Sequence, residues 1–441
     1  MSDGTLSIKD SRTGRDYEIP IRDNAILATS LKQIKGPAET ANPADKVAGG
    51  LRCYDPGLKN TAPIKSSLTW IDGEKGVLLF QGYSIEQLWD CDFEDILHLM
   101  LRGDLPSLSQ REGFRQRIAN AMRDIPQSVV DVVRSFPRSS PMMPVVMAGL
   151  SCYVGNQPDS IPANRGGNIY HGNGNQVDAG IIRTVAAFAV VVGLAASHLK
   201  GTSFCLPSRD RTFYENLFVM MGHVDPSTGE PNHTQLSCFR HFGALSVDHG
   251  LSNSTLTLLV TASTLPDPTS ALISALASAY GPLHFGASES AFRVMTELGS
   301  PDRVPALIKE VKQGKRRLFG YGHRSYKTVD PRIRPIQKLL QMLDAQSNPL
   351  FAVAQEIDRV ASQDEYFVSR GLKANADLYG QFFYTAMGWP PSFIPLMMII
   401  HRLPGLMGHW RNAMLSEIMV YRPPHLYVGP VEKRAPLSAK L

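Results

Sequence analysis

Leu6 and Ile8 alternate with polar neighbours, Ser11 to Gly14 read as a turn, and Tyr17, Ile19 and Ile21 alternate again, a pattern that predicts a small amino-terminal hairpin. A second hairpin is expected where residues 66–71 and 77–80 flank the turn Asp72-Gly73-Glu74-Lys75-Gly76. Ser84 and Gln87 then have the spacing of a capping box that opens a helix, and the apolar period turns helical. Ser109 and Glu112 form a second such pair, followed by Phe114, Ile118 and Met122 at every fourth position until Pro126 stops the run. Helices alternating with Pro/Gly breaks are expected over residues 271–280, 288–298, 304–312, 335–343 and 378–387. A polar loop rich in Asn, Gly and Pro is expected over 155–178, with Gly172-Asn173-Gly174 as a turn inside it. The pattern predicts a mainly α fold with a minor β portion, without internal repeats.

With 441 residues the chain exceeds the size of one ordinary core, so two domains are expected. Hydrophobic residues make up 43% and charged residues 19%, which excludes a disordered or supercharged chain. The net charge of +5 is spread without a run of like charges, which argues against a dedicated nucleic-acid binder. Cys53, Cys91, Cys152, Cys205 and Cys238 are odd in number and lack C-x-x-C spacing, so neither a disulfide framework nor a zinc knuckle is expected. The apolar stretch between Arg183 and His198 falls short of the roughly 20 residues that cross a bilayer and reads as a buried core helix. The amino terminus shows neither a secretory nor a mitochondrial import pattern, and Ala439-Lys440-Leu441 is a variant of the S-K-L peroxisomal address. A cytoplasmic or peroxisomal location is expected.

Three histidines sit beside glycine- or aspartate-containing breaks: His249 after Asp248, His284 in Gly281-Pro282-Leu283-His284, and His323 in Gly320-Tyr321-Gly322-His323-Arg324. Asp377 lies among small residues in Lys373-Ala374-Asn375-Ala376-Asp377-Leu378, at an expected helix start where a carboxylate is poorly solvated or serves simply as an N-cap. A poorly solvated carboxylate next to histidine donors can take a proton alpha to a carbonyl while the imidazoles hydrogen-bond the enolate oxygen. Each histidine has a structural role as its alternative. None shows H-x-x-x-H spacing, so no metal is expected. Asp330-Pro331 reads as an N-cap and N1 pair that projects Arg332 from a first helical turn. Arg402 and Arg422 flank apolar or proline-rich segments, where a guanidinium needs either a structural ion pair or a substrate carboxylate.

Taken together, these segments resemble the citrate synthase family from the first hairpin through Tyr427. Gly281-Pro282-Leu283-His284-Phe285-Gly286-Ala287 is similar to the family's G-P-x-H-G-G-A, and Gly320-Tyr321-Gly322-His323-Arg324-Ser325-Tyr326-Lys327 to G-F-G-H-R-V-Y-K. Ala374-Asn375-Ala376-Asp377 resembles P-N-V-D, and Asp248-His249 with Asn253-Ser254-Thr255 resembles D-H-x-x-N-A-S-T. The resemblance implies a helical homodimer in which 46–284 and 390–441 form a large domain, 285–389 a small domain, and 1–45 a hairpin and arm. It implies Asp377 as the base acting on an acyl-CoA, His284 as donor to the thioester enol, and His323 as donor to the ketone of oxaloacetate. His249, Arg332, Arg402 and Arg422 would hold the dicarboxylate, with Arg422 reaching the neighbouring subunit's site. Leu318, Gly320, Tyr321, Gly322 and Asn375 would contact coenzyme A. No metal or redox cofactor is implied.

The departures from the family pattern concern the acyl group. Ala374 and Ala376 replace proline and valine, Met398 replaces a phenylalanine four residues before Arg402, and Phe285 replaces a glycine. At about 0.8 kcal/mol per buried methylene, a pocket enlarged by Ala374, Ala376 and Met398 would favour a longer acyl tail, whereas Phe285 adds bulk that reshapes or narrows it. The resemblance is therefore strongest to alkylcitrate synthases, which condense longer acyl-CoAs with oxaloacetate. Citrate or 2-methylcitrate synthase using acetyl- or propionyl-CoA is the alternative, and a dead acyl-CoA-binding homologue a third reading that the retained His284, His323 and Asp377 oppose. Ser325 in place of valine has no assigned consequence.

Overall fold

The computed structural model describes residues 3–36 and 50–430. Ala439-Lys440-Leu441 lies outside them. The chain divides into two compact units, Met1–Lys65 with Arg422–Leu441, and Ser66–Tyr421. The expected boundary between 284 and 285 falls inside the second.

In the first unit, β1 (Gly4–Asp10) pairs antiparallel with β2 (Arg15–Arg22), and β2 with β3 (Ala25–Ile26). The strand alternation places Ile8, Tyr17, Ile19 and Ile26 on one face, packed with Leu31 and Ile34. The Asp10 carboxylate caps the turn through the Arg12 amide (3.0 Å) and its guanidinium. The predicted hairpin is thus present with a third short strand.

The second unit opens with β4 (Thr69–Asp72), β5 (Val77–Phe80) and β6 (Tyr83–Ser84), the second predicted hairpin plus a two-residue strand. Sixteen α-helices follow among the described residues. These are α1 (Phe93–Arg102), α2 (Leu108–Met122), α3 (Gln127–Ser135), α4 (Met142–Gly155), α5 (Gly174–Lys200), α6 (Phe213–Met220), α7 (His233–Ser246) and α8 (Asn253–Ala262). The second half holds α9 (Pro268–Ala279), α10 (Gly286–Leu298), α11 (Val304–Lys312), α12 (Ile333–Met342), α13 (Pro349–Gln363), α14 (Glu365–Val368), α15 (Ala376–Ala386) and α16 (Ile394–Leu415). The fold is mainly α, as the periodicity predicts.

Several helix starts differ from the sequence reading. Ser84 and Gln87 do exchange the two capping-box hydrogen bonds, at 2.9 and 3.3 Å, but turns follow, and the helix begins at Phe93 behind the Asp92/Asp95 box. The box opening α2 is Ser107/Gln110, two residues earlier than the Ser109/Glu112 pair. The 155–178 loop ends at Asn173, whose side chain accepts from the Gln176 amide and starts α5. α5 extends well beyond its apolar centre and is long and apolar enough to cross a bilayer, yet 89% of its most apolar window is buried inside the fold. It is the core helix, packed by α2, α4, α6 and α16. α16 is buried along nearly its whole length and carries Arg402 inward, with Met398 half-buried.

Candidate active site

The site is stitched from segments far apart in sequence. Tyr321 and Ala374 form an antiparallel bridge, with Gly322 N–H donating to the Lys373 carbonyl (2.7 Å) and Asn375 N–H to that of Gly320 (3.0 Å). Gly320 (φ 81°) needs to be glycine here, because a Cβ would stand 2.8 Å from the Leu378 Cα. The Asn375 side chain joins both strands, donating to the Gly322 carbonyl (2.7 Å) and accepting from the Asp377 amide (2.9 Å). Asn375 is therefore the N-cap of α15, and Asp377 is its second residue rather than the cap. The bridge fixes His323 and Asp377 relative to each other.

Asp377 lies at the desolvated start of α15, and burial pushes its carboxyl above the ordinary 3.8, while the Ser288 hydroxyl and the Arg332 charge pull the other way. Ser288 on α10 donates to Oδ1 at 2.6 Å, which leaves Oδ2 as the outward oxygen. The sequence reading did not single out Ser288. Its signal is its place one helical turn after His284, on the buried face of α10.

The histidine tautomers follow from their neighbours. His323 Nδ1 accepts from the amides of Ser325 (3.0 Å) and Tyr326 (3.2 Å), so the proton is assigned to Nε2. His284 Nε2 accepts from the Ser254 amide (3.3 Å) and pairs with its hydroxyl (2.8 Å), which places the proton on Nδ1. Burial, assisted by Arg402 at His284 and Arg332 at His323, lowers both rings to about 4, so both are neutral donors at pH 7. His249 is lowered further by burial and the same two arginines, and its Nε2 meets the Tyr326 hydroxyl at 3.2 Å.

Two buried arginines complete the site. Asp330 grips Arg332 through Nε (2.9 Å) and Nη2 (2.6 Å) and also accepts from the Ala376 amide (3.2 Å). Although burial opposes its charge, the Arg332 guanidinium holds Asp330 at about 2, and Asp330 in turn raises Arg332. The expected Asp330-Pro331 helix start is corrected here. α12 begins at Ile333, because the Asp330 carboxylate is committed to Arg332 and to α15. Arg402 donates Nε to the Ser246 carbonyl (2.9 Å), and among the described residues no carboxylate lies within ion-pair distance. Burial lowers it to about 10, so it remains a cation with Nη1 and Nη2 available for an incoming anion. Below it, buried Asp248 is drawn to about 2 despite desolvation, by His409, Arg402 and Thr69.

Ala376 and Met398 line a cavity of about 20 Å³ together with Asp377, Ser288, Arg332 and Arg402, room for about one water molecule. Ala374 and Phe285 lie elsewhere. Ala374 is buried in the bridge to Tyr321, and Phe285 stacks on His284 (4.3 Å) with its ring 5.3 Å from the Arg402 guanidinium. Leu318 is buried, and the Tyr321 hydroxyl is bonded to Asp358 (3.0 Å), while Gly320 and Gly322 direct backbone groups into the bridge. Arg422 is exposed, in the unit formed by the chain ends. The described parts of this site bring together a desolvated carboxylate, neutral imidazole donors aimed by backbone amides, and two cations. That set can enolise a carbonyl compound and hold an anionic electrophile.

The family model for the citrate synthase C-terminal domain matches residues 57–424. Alkylcitrate synthase phiJ of Fungal sp. (strain ATCC 74256) is 46% identical over 98% of this chain and 95% of its own. Alkylcitrate synthase tstJ of Talaromyces stipitatus is 43% identical over 98% and 96%. The glyoxysomal citrate synthase of Cucurbita maxima is 35% identical over 97% and 82%. Among solved structures, the ternary complex of the Thermoplasma acidophilum citrate synthase with carboxymethyl coenzyme A and oxaloacetate has a TM-score of 0.78 and 25% identity, covering 87% of this chain and 98% of that one. The chain belongs to the citrate synthase family. It is a citrate synthase-type acyltransferase.

Proposed function

We propose that this enzyme condenses an acyl-CoA longer than acetyl with oxaloacetate, giving an alkylcitrate and free coenzyme A. The observation that carries the acyl length is that small Ala376 and flexible Met398 stand beside Asp377 where the family has a bulkier pair, bordering a cavity that now has room for about one water. The similarity to two alkylcitrate synthases supports it. Asp377 Oδ2 takes the alpha proton, and His284 Nδ1–H hydrogen-bonds the thioester oxygen as charge develops there. The enol carbon attacks the oxaloacetate ketone, polarised by His323 Nε2–H, and water then hydrolyses the new thioester to release coenzyme A. Arg402 clamps one carboxylate with its free fork, while Arg332 offers Nη1 and His249 adds a polar edge. No metal or redox cofactor enters this reading, since the imidazoles supply the oxyanion donors. The glyoxysomal relative supports the peroxisomal side of a cytoplasmic or peroxisomal location.

The test is a panel of acyl-CoAs from acetyl to decanoyl. Hexanoyl-CoA or longer is expected to exceed acetyl-CoA in kcat/KM, and Ala376→Val with Met398→Phe in one chain is expected to reverse much of that preference. One methylene in an apolar pocket is worth about 1–3 kcal/mol of discrimination. Preference for acetyl- or propionyl-CoA would establish the alternative.

The homodimer with shared sites belongs to the same proposal and rests on Arg422. Mixing inactive Arg422→Ala chains with inactive Asp377→Asn chains is expected to restore part of the activity, because one site of each mixed dimer receives both intact residues. No recovery despite demonstrated subunit exchange would place Arg422 in its own chain's site or in none.

A further inference from the structure

Gly380 sits in the buried interior of α15, where glycine costs about 1 kcal/mol relative to alanine. Every other buried helical glycine among the described residues has a packing reason, with a neighbour within 3.0 Å of where a Cβ would stand. At Gly193 that neighbour is Met220 (2.5 Å), at Gly243 the Tyr214 hydroxyl (2.5 Å), and at Gly405 the Val247 carbonyl (2.4 Å). A Cβ at Gly380 meets only the Phe242 ring tip at 3.7 Å, an ordinary contact. The fold does not require this glycine, yet its missing side chain borders the cavity beside Asp377.

Ala376, Gly380 and Tyr384 follow one another at four-residue intervals, so they share a face of α15 that leads away from Asp377. All three border the cavity, opposite Phe242 of α7, Ile336 of α12 and Met398 of α16. The other directions around Asp377 carry the groups that fix the helix start or face the thioester and oxaloacetate in the proposed reaction. Toward the start of α15, Asn375 and Asp330 occupy the space with hydrogen bonds to the helix amides. Toward α10, Ser288 holds Oδ1, and the His284–Phe285–Arg402 stack presents the imidazole and guanidinium assigned to the thioester oxygen and to oxaloacetate. Tyr384 is a fixed end to the remaining direction, its hydroxyl 3.2 Å from His401 Nδ1 and its ring 5.3 Å from that of Phe242.

We propose that the acyl chain on the carbon deprotonated by Asp377 runs along the Ala376–Gly380–Tyr384 face of α15, with Gly380 admitting it and Tyr384 ending it. This rests on the acyl-CoA reading of the site. The cavity now has room for about one water, so the chain enters by displacing Met398, an unbranched thioether that repacks readily. The path covers about 12 Å of helix between Ala376 and Tyr384, which suits an unbranched aliphatic chain of medium length.

The experiment measures kcat/KM for acetyl-, butyryl-, hexanoyl-, octanoyl- and decanoyl-CoA with the wild type, Gly380→Ala and Gly380→Val. Gly380→Ala has higher helix propensity and room for its methyl, so it folds at least as well as the wild type. The octanoyl-to-acetyl ratio is expected to fall at least tenfold in Gly380→Val and less in Gly380→Ala. If the wild type itself rejects chains beyond propionyl, the long-chain reading of the site fails. If the wild type prefers long chains and both variants keep its ratio, including by losing all substrates equally, the channel is overturned and the chain lies elsewhere.

Discussion

Asp377→Asn is expected to lower kcat by about 10²–10⁴-fold, the usual worth of a positioned general base, while calorimetry still registers oxaloacetate binding. The amide keeps the shape and can still accept from Ser288, but it has no basic oxygen for the alpha proton. The same geometry fixes the pH profile. Burial holds the Asp377 carboxyl above 3.8, and His284 and His323 are held to about 4, so both imidazoles are neutral donors at neutral pH. The kcat/KM of the free enzyme is therefore expected to fall on acidification, first as Asp377 gains a proton above the ordinary carboxylate range and then, toward pH 4, as the imidazoles become cations. Turnover by Asp377→Asn close to the wild-type rate would remove Asp377 from its role.

Asp330→Asn is expected to cost about 3–5 kcal/mol of folding stability, read as a lower urea midpoint at unchanged slope, because it leaves the Arg332 cation buried without its counter-charge. Asp330 also tethers the start of α15 through the Ala376 amide, so kcat should fall together with stability. The sign with pH is set by its depressed carboxyl, near 2 in the fold against an ordinary 3.8. The contribution is complete above the unfolded value and is lost as pH drops through the folded one. The variant should therefore lose its disadvantage in strong acid. A midpoint within about 1 kcal/mol of wild type at pH 7 would show that Arg332 finds another partner.

The helices most readily legible in the sequence were those with a strong period and a hard stop. The helix expected over 304–312 has those bounds, and the buried core helix around residues 184–197 was plain from composition. Helix starts were less legible, because several Ser/Thr/Asp residues compete for each cap and tertiary contacts choose among them. Ser107 prevails over Ser109, and Asn375 over Asp377. At the site, His249, His284, His323, Asp377, Arg332 and Arg402 could be singled out from their glycine-rich or apolar settings. The supports from Ser254 and Ser288 could not, because they act across 30 and 89 residues of chain and leave no local pattern. Asp330, beside Arg332, reads in sequence as a helix cap, and its reach to the Ala376 amide 46 residues away is invisible there. The glycine at 380 reads in sequence as a weak point in a helix; only the empty volume beside it gives it meaning.

His249 and His323 lie with ring centroids 5.0 Å apart, close enough to suggest a chelating pair for a transition metal. The backbone works against that use. His323 Nδ1 already faces two amide hydrogens, so freeing Nε2 for a metal would move the ring proton onto Nδ1 and point donor against donor. Leaving such buried donors unsatisfied costs about 1–3 kcal/mol. At His284 the same lock acts in mirror image, with Nε2 facing the Ser254 amide. The amides that aim His323 and His284 for hydrogen-bond donation therefore also weaken both rings as metal ligands, by the cost of two donors set face to face.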